Sequence, residues 1–322
     1  YAECYEFAWD DRVVVQNKAY DDAEKIAVFN PAMGYLANST TYAENGGDLD
    51  DILLSARTQY ICGEIIRRIK AEFENLTGIV DVYPAVNPLG LDARTRAVPI
   101  SDIDYSSAFP GDINGGLEDY TAAKLIEDIK GASCCIDIHS SNIFLQEVPQ
   151  VRLNNDYDET LLHLSKYMNT DLVWIHPSQT VNEGSLAFTL NQMGIPTMVT
   201  ESGAAFRIRY EYCRQIIDGI FSVMAELGIW KGKVQGKTKV PFIHKDQIFY
   251  LNCESSGLFV SYKRLKDPVK KGEIIGIVQN PLMGATEEEV VAPTDGILMT
   301  LREHPSVTEG SLVARVIGGN AL

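Results

Sequence analysis

His139 is the residue of this chain whose type and setting point most directly to metal chemistry. It lies in Cys135-Ile-Asp-Ile-His-Ser-Ser-Asn142 and closes the apolar run 132–138. That run predicts a buried strand, which puts the imidazole at the strand's carboxyl end, the edge where open α/β sheets bind ligands. Glu201 stands in the same relation to the apolar run 195–200. An imidazole on a metal and a carboxylate facing it are two parts of an amide hydrolase: the metal activates a water and the carboxylate takes its proton. Zinc needs three or four ligands, often with two supplied by one turn of chain. The five histidines (139, 163, 176, 244 and 304) include none with a glutamate three residues away and no two that are four apart. His139 is a candidate metal ligand whose partners the sequence does not supply.

Other residues have blander readings beside their functional ones. Arg207, just past the Glu201 turn, is placed to meet an anionic substrate group, as is Arg209, though both also suit a solvated surface. His176 ends another apolar run and is read as a structural histidine. Cys134 and Cys135 fall inside the predicted His139 strand, where thiols are inert. The six cysteines show no Cys-x-x-Cys spacing, so reduced core thiols are expected rather than a disulfide framework.

The elements that must position these groups alternate along the chain. Helices are predicted over 51–73, 117–130, 157–169, 183–193 and 208–227, from apolar residues recurring at helical spacing such as Ile61, Ile65, Ile66 and Ile69. Strands are predicted over 79–85, 132–138, 172–175 and 195–200. The order implies an α/β fold, a mostly parallel doubly wound sheet with helices on both faces. A long Pro- and Gly-bearing loop follows the first of these strands, a length that is usually functional or disordered. After the basic, glycine-punctuated stretch 231–237 the texture changes to short apolar runs over 248–251, 258–260, 274–278 and 296–301. We therefore expect an α/β domain over 1–232 and a small all-β domain over 238–322.

Composition narrows the function classes. The 322 residues carry a formal net charge of −16, which argues against nucleic acid or an anionic membrane as partner. No apolar run approaches the roughly 18 residues that span a bilayer. A cytoplasmic location is expected, and the Tyr1 start reads as that of a processed chain or fragment.

Ordered motifs sharpen the reading: Asn87-Pro88-Leu-Gly90, then Asp102-Ile-Asp104-Tyr-Ser-Ser-Ala-Phe109-Pro110-Gly111, then Asp137-Ile-His139, then Gly194-Ile-Pro196-Thr-Met-Val-Thr-Glu201-Ser-Gly203. Together they resemble the succinylglutamate desuccinylase/aspartoacylase family of the zinc carboxypeptidase clan. The likeness continues through Val269-Lys-Lys-Gly272 and Val291-Ala-Pro293-Thr-Asp-Gly296, and it implies a C-terminal barrel-sandwich domain resembling a lipoyl module. The turn bears Thr294-Asp295 and no lysine, so lipoate or biotin attachment is not expected. By the same resemblance His139 matches a zinc ligand and Glu201 the general base.

Two departures matter. The family's first zinc pair should precede the helix at Gln59, where Ile52 and Ser55 take the places of its His and Glu. Its Asn-Arg pair becomes Ser106-Ser107, and losing such a carbonyl-polarising arginine costs roughly 10²–10³ in rate. Asp102 and Asp104 keep the pattern and are read as bracing the loop. The expectation is a catalytically degenerate member without a cofactor, kept as a structural or regulatory subunit beside an active paralogue or as a homo-oligomer. Two alternatives stand beside it. One is an active zinc amide hydrolase of N-acyl amino acids, with ligands drawn from a partner chain or from the N-terminal segment that holds Glu44, Asp48, Asp50 and Asp51. The other is a module that binds a small acyl-amino acid as an anion.

Overall fold

Alternation of short β-rich runs with amphipathic helices builds one large mixed sheet covered on both faces. The computed structural model describes residues 4–9, 12–17, 25–29, 56–84, 86–87, 89–90, 97–99, 101, 103–105, 108–154, 159–176, 184–205, 207–235 and 240–318. Ile52, Ser55, Ser106, Ser107, Asp102 and the acidic residues at 44, 48, 50 and 51 lie outside them.

Strands β1 (Cys4–Trp9), β2 (Arg12–Asn17) and β3 (Lys25–Phe29) precede helix α1 (Ala56–Ala71) and β4 (Ile79–Tyr83). Next come α2 (Leu117–Ile129), β5 (Cys134–Ser140) and β6 (Leu145–Asn154). They are followed by α3 (Glu159–Ser165), β7 (Leu172–His176), α4 (Leu186–Gln192), β8 (Thr197–Gly203) and α5 (Tyr210–Glu226). Each helix predicted from periodicity is present among the described residues, over the spans just given. The ten-residue strand β6 was not predicted. Its apolar positions follow no steady alternation, and Pro149 interrupts it. The register slips between Glu147 and Gln150, and such a bulge is where a strand tolerates proline.

The strand order is β1-β2-β4-β3-β5-β8-β6. β4, β3, β5 and β8 run parallel to one another, as do β6 and β7, but β1 and β2, β2 and β4, and β6 and β8 pair antiparallel. The expectation of a mostly parallel sheet is thus corrected to a mixed one. The cause is the short connection 141–144, which keeps the chain at the same end of the sheet so that β6 must return; a parallel neighbour needs a long crossover.

Strand residues alternate between two apolar layers. Cys134, Ile136 and Ile138 join Val151, Leu153, Val173 and Ile175 under α1, α3 and α5. Cys135 and Ala27 face the opposite layer with Ala122 and Ile129 of α2 and Leu186 and Leu190 of α4. Helix α5 buries Cys213, Ile216, Ile217, Ile220, Val223 and Met224 at helical spacing. At Gly219 a Cβ would collide with the Met168 backbone, so glycine is the residue that lets α5 seat this closely. In the described part of the long loop after β4, Val98, Tyr105 and Phe109 are buried in the second layer.

From Phe242 onward the chain is β-rich: β9 (Phe242–His244), β10 (Ile248–Asn252), β11 (Gly257–Ser261), β12 (Pro268–Val269), β13 (Ile274–Gln279), β14 (Thr286–Val291), β15 (Gly296–Arg302), β16 (Ser306–Val307) and β17 (Leu312–Gly318). β14, β13, β11 and β16 form a separate four-stranded sheet. β15, β17 and β10 instead extend the main sheet, because β15 pairs with the first residues of β6. β6 is therefore the joint, with β8 on one edge and first β15, then β7, on the other.

Candidate functional site

His139 and Glu201 are direct Cα partners on the adjacent parallel strands β5 and β8. With Asp137 they share one face of the sheet, since Cys134, Ile136 and Ile138 point into the other layer. The His139 Nε2 lies 3.1 Å from Asp137 Oδ1. Burial works against charging the ring, but Asp137, with Glu201 opposite, outweighs that and the opposing Arg152, so the His139 pKa is raised.

β6 completes the site with groups that sequence reasoning missed. Arg152 Nη1 donates to Glu201 Oε1 at 3.2 Å, and its Nη2 donates to Glu147 Oε2 at 2.8 Å. Arg315 of β17 donates to Glu147 Oε1 at 2.5 Å, and the Thr300 hydroxyl of β15 donates to the same oxygen at 3.2 Å. Both guanidiniums lie over the Trp174 ring, at 5.3 and 5.4 Å. His176 stacks on that ring at 3.7 Å, where burial, then Arg152 and Arg315, push its pKa down to about 3. For Arg152 burial opposes the charge, but Glu201 and Glu147 more than offset it and its pKa is raised. Among the described residues three carboxylates (Asp137, Glu147, Glu201) thus face two guanidiniums and an imidazole whose pKa is raised.

The only sequence signals for this network were a glutamate and an arginine five apart, on opposite faces of an ideal strand. The bulge changes that parity and brings both to one face. Arg207 is elsewhere: it is exposed, with its Nε 4.0 Å from Glu303 Oε1. Cys134 and Cys135 are buried, and burial pushes the Cys134 thiol up to about 12, so neither is poised as a nucleophile.

Zinc sites use three or four ligands, and among the described residues no group of three His, Cys, Asp or Glu side chains could hold an ion. His139 Nε2 is engaged by Asp137, and Glu201 by a guanidinium that would repel a dication. The described residues by themselves do not fit the metal.

An α/β sheet presenting a histidine and a glutamate at the ends of neighbouring parallel strands defines a hydrolase-like fold. The chain belongs to the succinylglutamate desuccinylase/aspartoacylase family, whose catalytic-domain model matches residues 58–227. It is 24% identical over 255 residues to the N-alpha-acetyl-L-2,4-diaminobutyric acid deacetylase of Halomonas elongata, covering 77% of this chain and 74% of that protein. In fold it is similar to the product-bound ectoine utilization protein EutE (DoeB) from Ruegeria pomeroyi, with a TM-score of 0.73 at 19% identity over 99% of this chain and 94% of that one. The succinylglutamate desuccinylase/aspartoacylase from Rhodobacter sphaeroides aligns with a TM-score of 0.71 at 20% identity, over 95% and 87% of the two chains. Among the described residues no helix is long and apolar enough to cross a membrane.

Proposed function

We propose that this chain is a non-hydrolytic member of its family, in which an ion-pair network stands where a metal-centred site would otherwise be. The observation that carries this reading is the Arg152–Glu201 contact at 3.2 Å. A general base must be free to take a proton from water, whereas here the carboxylate neutralises a half-buried guanidinium that is itself held by Glu147. Ile52 and Ser55, in place of a liganding pair, and Ser107, in place of an arginine, support the same reading. Such a chain would serve as a structural or regulatory subunit, paired with an active relative or with a second copy of itself.

The decisive experiment is metal analysis of the purified full chain together with an assay on N-acetylated and N-succinylated amino acids. The expected result is substoichiometric zinc after dialysis and no chelator-sensitive turnover. One zinc per chain, lost in His139→Ala, would overturn the proposal.

A second reading is favoured by one feature, the direct register of His139 with Glu201. It makes the chain a zinc-dependent deacylase whose further ligands come from the segment before α1 or from a partner chain. Under that reading Glu201→Gln abolishes turnover while zinc is retained.

A further inference from the structure

The opposite face of the β6–β15 joint carries a second feature. Glu147 and Thr300, which hold the Arg152 network, are Cα partners across these strands, and so are their neighbours Gln146 and Leu301. Because successive side chains point to opposite faces, Gln146 and Leu301 face away from the network. They line a cavity of about 390 Å³ between the start of α5 and the loop after β11, within the size range of small-molecule sites.

Its charge is opposite in sign to the net charge of the chain. Arg209, Lys263, Arg264 and Arg302 line the cavity, against one lining carboxylate, Glu303. Arg209 Nη2 reaches that carboxylate at 3.4 Å, and Arg207 approaches it at 4.0 Å, so two cations share one acid. Lys263 pairs with Glu273. The Arg302 guanidinium donates to the carbonyls of His304, Leu312 and Ser306. The lining cations outnumber the carboxylates that meet them, Glu303 and Glu273, in a chain of net charge −16. A concave surface of one sign concentrates counter-ions of the other, and arginine forks match carboxylate and phosphate oxygens. Leu265 and Leu301 give the cavity an apolar wall for a short carbon skeleton.

We propose that this cavity binds a small organic or inorganic polyanion bearing carboxylate or phosphate groups, at a site separate from the His139–Glu201 face. The proposal does not depend on whether that face is hydrolytic. Isothermal titration of the full chain with succinate, citrate and inorganic phosphate, at low chloride, tests it and separates carboxylate from phosphate ligands. Saturable binding of at least one anion is expected, weakened tenfold or more in Arg264→Glu and in Arg209→Gln and unchanged in Lys130→Glu. Arg264 is exposed, so its variant should fold, and an unaltered circular dichroism melt checks this. Absence of saturable binding for all three anions, or equal affinity in folded Arg264→Glu, would overturn the proposal.

Discussion

The two faces of strand β6 treat charge in opposite ways. On one, Arg152, Glu147, Arg315 and Glu201 form a closed chain of contacts in which each charge is met by another. On the other, Arg209, Lys263, Arg264 and Arg302 border open space with too little acid to match them. The closed face is buried, so an unmatched charge there is costly and the network must be complete. The open face is solvated, so a surplus is tolerated and remains available to a ligand.

Arg152→Ala tests the closed face hardest. It strips a partner from Glu147, 1% exposed, and from Glu201, 9% exposed. Breaking a buried pair from one side costs about 3–5 kcal/mol, measurable by urea denaturation. The double variant Arg152→Met/Glu201→Gln should recover part of this loss; if it is no more stable than Arg152→Ala alone, the pairing is not the source. Arg315→Met removes one of two guanidiniums from Glu147 and should cost less, about 1–3 kcal/mol.

His176 gives a pH-dependent test. Its folded pKa of about 3 lies below the ordinary histidine value, so between the two the unfolded chain binds more protons. Stability from this group is full above the unfolded pKa and is lost as pH falls toward 3. His176→Gln should therefore flatten the acid limb of a stability–pH curve, by at most about 1.4 kcal/mol per pH unit. An unchanged slope would count against a neutral, desolvated ring. The smallest effect belongs to the solvated pair Lys124–Glu127, separated by 2.7 Å. Lys124→Gln should leave the denaturation midpoint where it is, since exposed ion pairs add little.

Much of the frame was legible in the residues. Apolar runs ending in His139 and Glu201 indicated strands, and the structure places those two side by side. The periodicity of α5 and the change of texture before β9 were equally plain. β6 was not, because its bulge at Pro149 breaks the alternation by which a strand is recognised and shifts which residues share a face. Arg315 and Thr300 were illegible for another reason: they lie 168 and 153 residues from Glu147, and nothing local in the sequence links them.

The sequence by itself determined the family resemblance, the five helices and the strands that end in His139 and Glu201. These are local matters of residue type and spacing. Only the tertiary structure decided what became of Glu201. One bulged strand, returning beside β8, brings a guanidinium within hydrogen-bonding distance of that carboxylate. In a buried setting a charge takes the partner that folding delivers to it.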